Sequence, residues 1–88
     1  MDNRLKSQEI AKNHKSMIGC RYRHFKGNIY KVKNLAVHSE TEEVMVVYYS
    51  ESNPELVWVR PLDMFMSKVD KEKYPDVEQE YRFQLIVG

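Results

Sequence analysis

Cys20-Arg21-Tyr22-Arg23-His24-Phe25-Lys26-Gly27-Asn28-Ile29-Tyr30-Lys31-Val32-Lys33 is the stretch that decides how this chain folds. Its residues alternate with period two on either side of a Gly-Asn pair, the pattern of an antiparallel hairpin. A two-residue turn at Gly27-Asn28 would oppose Phe25 to Tyr30 and Arg23 to Val32, mixing charge with core. A three-residue loop, Lys26 to Asn28, opposes Phe25 to Ile29, His24 to Tyr30, Arg23 to Lys31, Tyr22 to Val32 and Arg21 to Lys33. That register gathers Tyr22, His24, Tyr30 and Val32 on one face and leaves Arg21, Arg23, Lys31 and Lys33 on the other. Asn28 tolerates the left-handed conformation such a loop needs at its last position. A slip of one residue would invert every side chain, so the segregated register is expected.

Further strands follow downstream. Leu35-Ala36-Val37 prolongs the second strand to a turn over Ser39 to Glu43. Val44-Met45-Val46-Val47-Tyr48-Tyr49 is apolar on both faces and is expected to lie centrally. A loop over Ser50 to Glu55 leads to Leu56-Val57-Trp58-Val59-Arg60, ended by Pro61. Pro61 to Phe65 reads as one helical turn that drops Leu62 and Phe65 onto the core. Met66 to Val69 suggests a short strand, Asp70 to Glu80 a charged loop broken by Pro75, and Tyr81 to Ile86 a closing strand. Upstream, Asp2 or Asn3 is placed to cap a short basic helix running to about His14, and Gly19 breaks the chain before the first strand.

Length and composition bound the fold class. The chain has 88 residues, 42% of them hydrophobic, with one cysteine and a net charge of +1. That is one domain with a small core. The lone Cys20 excludes an internal disulfide and a multi-thiolate zinc site, and fits a reducing compartment. The first twenty residues carry spaced charges and no apolar stretch, so no secretory signal is expected there. No apolar run is long enough to span a membrane. The expectation is a cytoplasmic protein without a membrane partner. Charge is unevenly spread: nine Lys/Arg against two acidic residues over 1–33, and five against eleven over 34–88. Such a division marks either an anion-binding face or two halves that attract one another.

The expected fold is mostly β: a small SH3-like β-barrel of five or six antiparallel strands with a short N-terminal helix. Closing the sheet would remove edges that so small a chain has little material to cover. An open antiparallel sheet packed by the N-terminal helix is the alternative. The expected organisation is an N-terminal extension over 1–19, helical or partly disordered, and a single SH3-like β domain over 20–88.

Four blocks carry a resemblance. Tyr22-x-His24-Phe25-Lys26-Gly27-x-x-Tyr30-x-Val32 is followed by Ala36-x-His38-Ser39-Glu40-Thr41-x-Glu43. Val46-Val47-Tyr48 and Trp58-Val59-Arg60-Pro61-x-x-Met64-Phe65 come next. In this order, over Arg21 to Val69, they resemble the bacterial and phage family known as domain of unknown function number 1653. The resemblance implies a small, mostly β, SH3-like fold and no particular activity.

Candidate chemistry is sparse. His24, His38 and Glu40 lack the spacing of a metal motif, so no metal or other cofactor is expected. In His38-Ser39-Glu40, neighbours in an extended segment point to opposite faces, so Ser39 is not placed to act with either. Ser39-Glu40-Thr41 is expected to organise a turn. Arg60 shares a face with Leu56 and Trp58. An arginine in an apolar strand is expected to pair with a carboxylate, and Glu40, Glu43 and Asp63 are available. Its functional reading is an anion-binding arginine beside an aromatic wall of Trp58 and one of Tyr22, Tyr30 or Tyr48. The structural reading of Trp58 places it, by its size, in the core.

The sequence therefore points to a noncatalytic binding or interaction domain for protein, peptide or single-stranded nucleic acid. The expected contacts are Tyr22, His24, Tyr30, His38, Glu40, Trp58 and Arg60, with Arg21, Arg23, Lys31 and Lys33 as a weaker anion or nucleic-acid face. The alternative is a small-ligand or hydrolytic pocket built from His24, His38, Glu40 and Arg60.

Overall fold

A computed structural model describes residues 3–87. Helix α1 (Asn3–Asn13) is the first described element, and the capping role considered for Asp2 falls outside the described residues. Buried Ser7 donates its hydroxyl to the Glu42 carbonyl, and Ile10 and Ala11 pack on the core. A 3₁₀ turn, Lys15–Met17, buries Met17. Gly19, at φ 85°, then turns the chain into the sheet. Its N–H donates to the Val32 carbonyl at 2.8 Å.

Five antiparallel strands follow: β1 (Arg21–His24), β2 (Ile29–Val37), β3 (Val44–Ser50), β4 (Asn53–Pro61) and β5 (Phe83–Leu85), with the single-turn helix α2 (Leu62–Phe65) after β4. They form one sheet in the order β4-β3-β2-β1-β5. As its apolar residues on both faces predict, β3 is an interior strand, between β4 and β2, with Val44, Val46 and Tyr48 buried on one face. Leu62 and Phe65 of α2 reach the core as expected, Phe65 only 1% exposed. Its ring stacks on Phe83 at 4.1 Å between centroids and 7° between planes, joining α2 to β5.

The first hairpin has a three-residue loop, but one position upstream of the expected one. Arg21 opposes Lys31, Tyr22 opposes Tyr30 and Arg23 opposes Ile29, so the loop is Phe25-Lys26-Gly27. Gly27, at φ 109°, takes the left-handed position expected of Asn28. Glycine adopts that conformation without the Cβ clash that burdens asparagine. The displacement moves each partner by two residues, which preserves the faces: Tyr22, His24 and Tyr30 are half-buried and Val32 is buried, while Arg21, Arg23 and Lys33 are exposed.

Three further expectations are corrected. The sheet does not close into a barrel. β4 pairs only with β3, and β5, three residues long, pairs only with β1. The segments flanking it bond locally instead: Val69 N–H to the Glu80 carbonyl at 2.8 Å and Arg82 N–H to Ser67 at 3.0 Å, with Lys68 bridged to Tyr81. The open sheet with its N-terminal helix is the arrangement observed. Asn53 and Pro54 lie in β4 rather than in a loop. Trp58 is 47% exposed rather than in the core, because no strand lies beyond β4 to cover it.

A cationic cleft between the hairpin tip and beta4

The tip of the first hairpin is a tight turn that fixes one imidazole. Gly27 N–H donates to the His24 carbonyl at 2.8 Å, and His24 N–H to the Asn28 carbonyl at 2.8 Å. Lys26 N–H donates to His24 Nδ1 at 3.1 Å, which makes Nδ1 an acceptor and leaves the proton of the neutral ring on Nε2. The imidazole stacks on Phe25 at 4.4 Å and meets Phe83 edge-on at 5.0 Å. Its pKa lies below the ordinary 6.5, first through burial and then through the positive charges of Arg60, Lys26 and Arg82.

Arg60 enters from β4. Its Nε donates to the Tyr48 hydroxyl at 3.3 Å, and its guanidinium carbon stands 5.7 Å from the centre of the Phe83 ring. Among the described residues it has no carboxylate within ion-pair distance, contrary to the pairing expected with Glu40, Glu43 or Asp63. The ion pairs described are Arg21 with Glu51 and Lys68 with Glu80.

The third wall comes from the loop before β5. Asp70 accepts the N–H groups of Glu72 and Lys73 on one carboxylate oxygen, at 3.0 and 3.4 Å, and so folds the loop back on itself. Tyr74 N–H closes the turn on the Asp70 carbonyl at 2.9 Å. The Tyr74 ring then packs 4.9 Å from Phe25. Gln79 ties the loop to β1 through its amide, 2.9 Å from the Arg23 carbonyl, and Phe25 N–H donates to Arg82 at 3.0 Å. Lys26 lies 5.7 Å and Lys73 5.6 Å from the centre of the Tyr74 ring.

These walls enclose about 290 Å³, lined by His24, Phe25, Lys26, Arg60, Asp70, Lys73, Tyr74 and Arg82. Four cations face one carboxylate there, and that carboxylate already accepts two backbone donors. Two guanidiniums and two ammoniums around an aromatic-walled cavity supply the charge and the directional N–H donors that an anion site requires.

Of the residues expected to bind a ligand, the structure brings only His24 and Arg60 to this cleft. Tyr30 packs against Tyr48 at 5.4 Å and Phe83 at 5.7 Å as part of the core. Tyr22 packs edge-on against Phe65 at 5.2 Å, and burial pushes its phenol pKa up. His38 lies past the far end of β2, where its Nδ1 accepts the N–H groups of Glu40 and Thr41, both at 3.1 Å. His38 and Glu40 thus shape the β2–β3 turn, so His24, His38, Glu40 and Arg60 are not gathered into one pocket. Trp58 points from the same face of β4 as Arg60, two residues away, without a ring partner among the described residues. On the opposite face of the hairpin, Arg21 is engaged by Glu51, while Arg23 and Lys33 are exposed. No group of three or more His, Cys, Asp or Glu among the described residues is arranged to hold a metal ion.

Lys26, Lys73, Tyr74 and Arg82 escaped the sequence reading. The signal available was Asp70, an acceptor residue placed to start a turn in a charged loop. Nothing local shows that this loop folds onto the hairpin tip.

A family model described as protein of unknown function (DUF1653) matches residues 20–85. Among solved structures, the chain is similar to the crystal structure of a protein belonging to DUF1653 from Bordetella bronchiseptica. The two are 31% identical, the match covers 84% of this chain and 91% of that one, and the TM-score is 0.62. No curated protein matches. No described helix is long and apolar enough to cross a membrane.

Proposed function

The chain belongs to the DUF1653 family, and from the geometry of its cleft we propose that it is a noncatalytic binding domain that receives an anionic group of its partner on Arg60. The observation that carries this reading is a half-buried arginine without a carboxylate partner among the described residues, set among three further cations in a cavity. An arginine removed from water in this way normally acquires an acidic neighbour. Here the guanidinium is held in place by a neutral phenol and an aromatic face, which orient it without neutralising it.

His24 is the cleft's adjustable member. Neutral, it offers one N–H from Nε2; protonated, it adds a fifth positive charge. Lys26 and Lys73 stand at the Tyr74 rim, where they attract an anion before Arg60 and Arg82 bind it. The anion is a carboxylate or phosphate carried by a protein, a peptide or a single-stranded nucleic acid.

The test is Arg60→Ala, read by thermal melting and by affinity for inorganic pyrophosphate at low salt. The substitution removes one neutral-acceptor hydrogen bond and one cation–ring contact, together about 1–2 kcal/mol of stability. For a domain this size that is a drop of roughly 5–15 °C in Tm. Binding should weaken by about tenfold or more, since hydrogen bonds to charged groups are worth about 1.5–3 kcal/mol. Unchanged affinity in a folded Arg60→Ala protein would refute the proposal.

A further inference from the structure

Strand β4 ends the sheet, and its apolar residues are only half covered. Leu56, Val57, Trp58 and Val59 are 46, 41, 47 and 62% exposed in succession. Natural edges are blunted by charged residues, prolines, bulges or an overlying helix. β4 carries such devices at its ends: Pro54 and Pro61, and a break in its register with β3, where Tyr49 opposes Val57 but Ser50 opposes Asn53. β4 has no lysine, and its outer edge pairs with nothing among the described residues. Pro54 and Pro61 bracket the exposed stretch, and between them Val57 to Arg60 pair with β3 in regular register, with alternate backbone N–H groups turned to the free edge. Arg60, the last of them, lies in the cationic cleft.

We propose that β4 accepts an extended peptide strand from a partner protein, and that this strand carries a carboxylate opposite Arg60 and an apolar side chain opposite Trp58. The proposal rests on the cleft's being an anion acceptor and names what brings the anion. Residues directly opposed in a sheet share a face. A carboxylate across from Arg60 therefore lies on the side where the guanidinium, Arg82 and His24 meet. Two residues further along an antiparallel partner, an apolar side chain falls on the exposed indole of Trp58, and the next apolar residue of the partner reaches the half-exposed Leu56 where the register of β4 breaks. The partner strand reads acidic-x-apolar-x-apolar. Backbone hydrogen bonds supply affinity in such strand addition, and the alternating side chains supply the choice of partner.

A second copy of the chain fits this edge poorly. Two copies of one strand pair antiparallel about a two-fold axis perpendicular to the sheet, which keeps like faces together. Only residues of equal parity are then opposed. Within the regular stretch Val57 to Arg60, Arg60 would meet Trp58 or its own copy across the seam, and no carboxylate.

The test uses the full chain labelled with ¹⁵N and a set of synthetic strand-forming peptides of pattern glutamate-threonine-leucine-threonine-valine. Amide hydrogen exchange and chemical shifts are followed on β4. The expected result is slowed exchange for amides within Glu55 to Arg60 and shifts at His24 and Arg82. Replacing the peptide glutamate by glutamine, or Arg60 by alanine, should weaken binding by about tenfold. Trp58→Ala should weaken it while leaving pyrophosphate binding unchanged. If pyrophosphate shifts the cleft but no peptide slows exchange on β4, strand addition is overturned and the anion reading stands. If neither ligand binds, both fail. Concentration-dependent protection of β4 in the protein alone would also overturn the proposal, in favour of self-pairing.

Discussion

An arginine and a histidine carry the account at the scale of the residue. Arg60 was conspicuous in the sequence because it interrupts an apolar strand. That no carboxylate among the described residues lies within ion-pair distance was not visible there, since Asp63 is close in the chain and Glu43 adjoins β3, the strand beside Arg60. The physical reason is spatial: the guanidinium turns inward toward Tyr48 and Phe83, while Glu40 belongs to the β2–β3 turn. His24 yields a pH prediction. Its folded pKa is depressed below 6.5, chiefly by burial, so the fold favours the neutral ring. The corresponding stability is fully present above the unfolded value, about 6.5, and is lost as the pH falls through the lower folded value. A bound anion favours the imidazolium, so pyrophosphate should raise the His24 pKa and bind more tightly as the pH falls. Proton NMR of the imidazole should show a midpoint below 6.5 in the free protein and a higher one with pyrophosphate. A free-protein midpoint at or above 6.5 would contradict this description of the site.

At the scale of the element, the hairpin shows how much period-two patterning can determine. The faces were legible because segregation of charge from core depends on parity alone. The register was not, because displacing the loop by one position moves every partner by two and leaves both faces unchanged. What selects among such registers is the residue that takes positive φ, and Gly27 outcompetes Asn28 for it. Gly27→Ala should therefore cost about 1–2 kcal/mol. A Cβ there meets no atom within 4 Å, so the penalty is conformational rather than steric crowding by neighbours. Denaturant unfolding measures it; a loss below about 0.3 kcal/mol would mean that the turn relaxes at little expense. The same substitution should shift the resonances of His24, whose carbonyl accepts the Gly27 N–H. α2 was legible for a simpler reason: Pro61 ends the strand, and Leu62 and Phe65 are three apart, on one side of a helical turn.

For the molecule as a whole, barrel closure was expected from the cost of open edges and burial of Trp58 from its size, and both give way to the open sheet. A closed barrel would have placed a strand beyond β4 and covered the indole. Instead the core lies under β2 and β3, with Phe65 and Phe83 stacked at its centre, and β4 stays exposed along its outer edge. Phe65→Ala should cost about 3–5 kcal/mol, against about 1 kcal/mol or less for the half-exposed Trp58→Ala. Small domains have only about 5–15 kcal/mol in total, so the first substitution should leave a marginal protein and the second a sturdy one. Comparable losses in thermal melting would contradict this placement of the core. The cleft itself was half legible: His24 and Arg60 stand within patterned strands, whereas Lys73, Tyr74 and Arg82 reach it through a loop whose path depends on tertiary contacts such as Gln79 with Arg23. The most direct measurement is the side-chain Nε–H resonance of Arg60 followed by NMR through a pyrophosphate titration at low salt. A saturable shift shared by Arg82 and His24 is the predicted result. An unmoved Arg60 resonance, with shifts confined to Arg21, Arg23, Lys31 and Lys33, would contradict the cleft as the anion site and transfer the role to the opposite face of the hairpin.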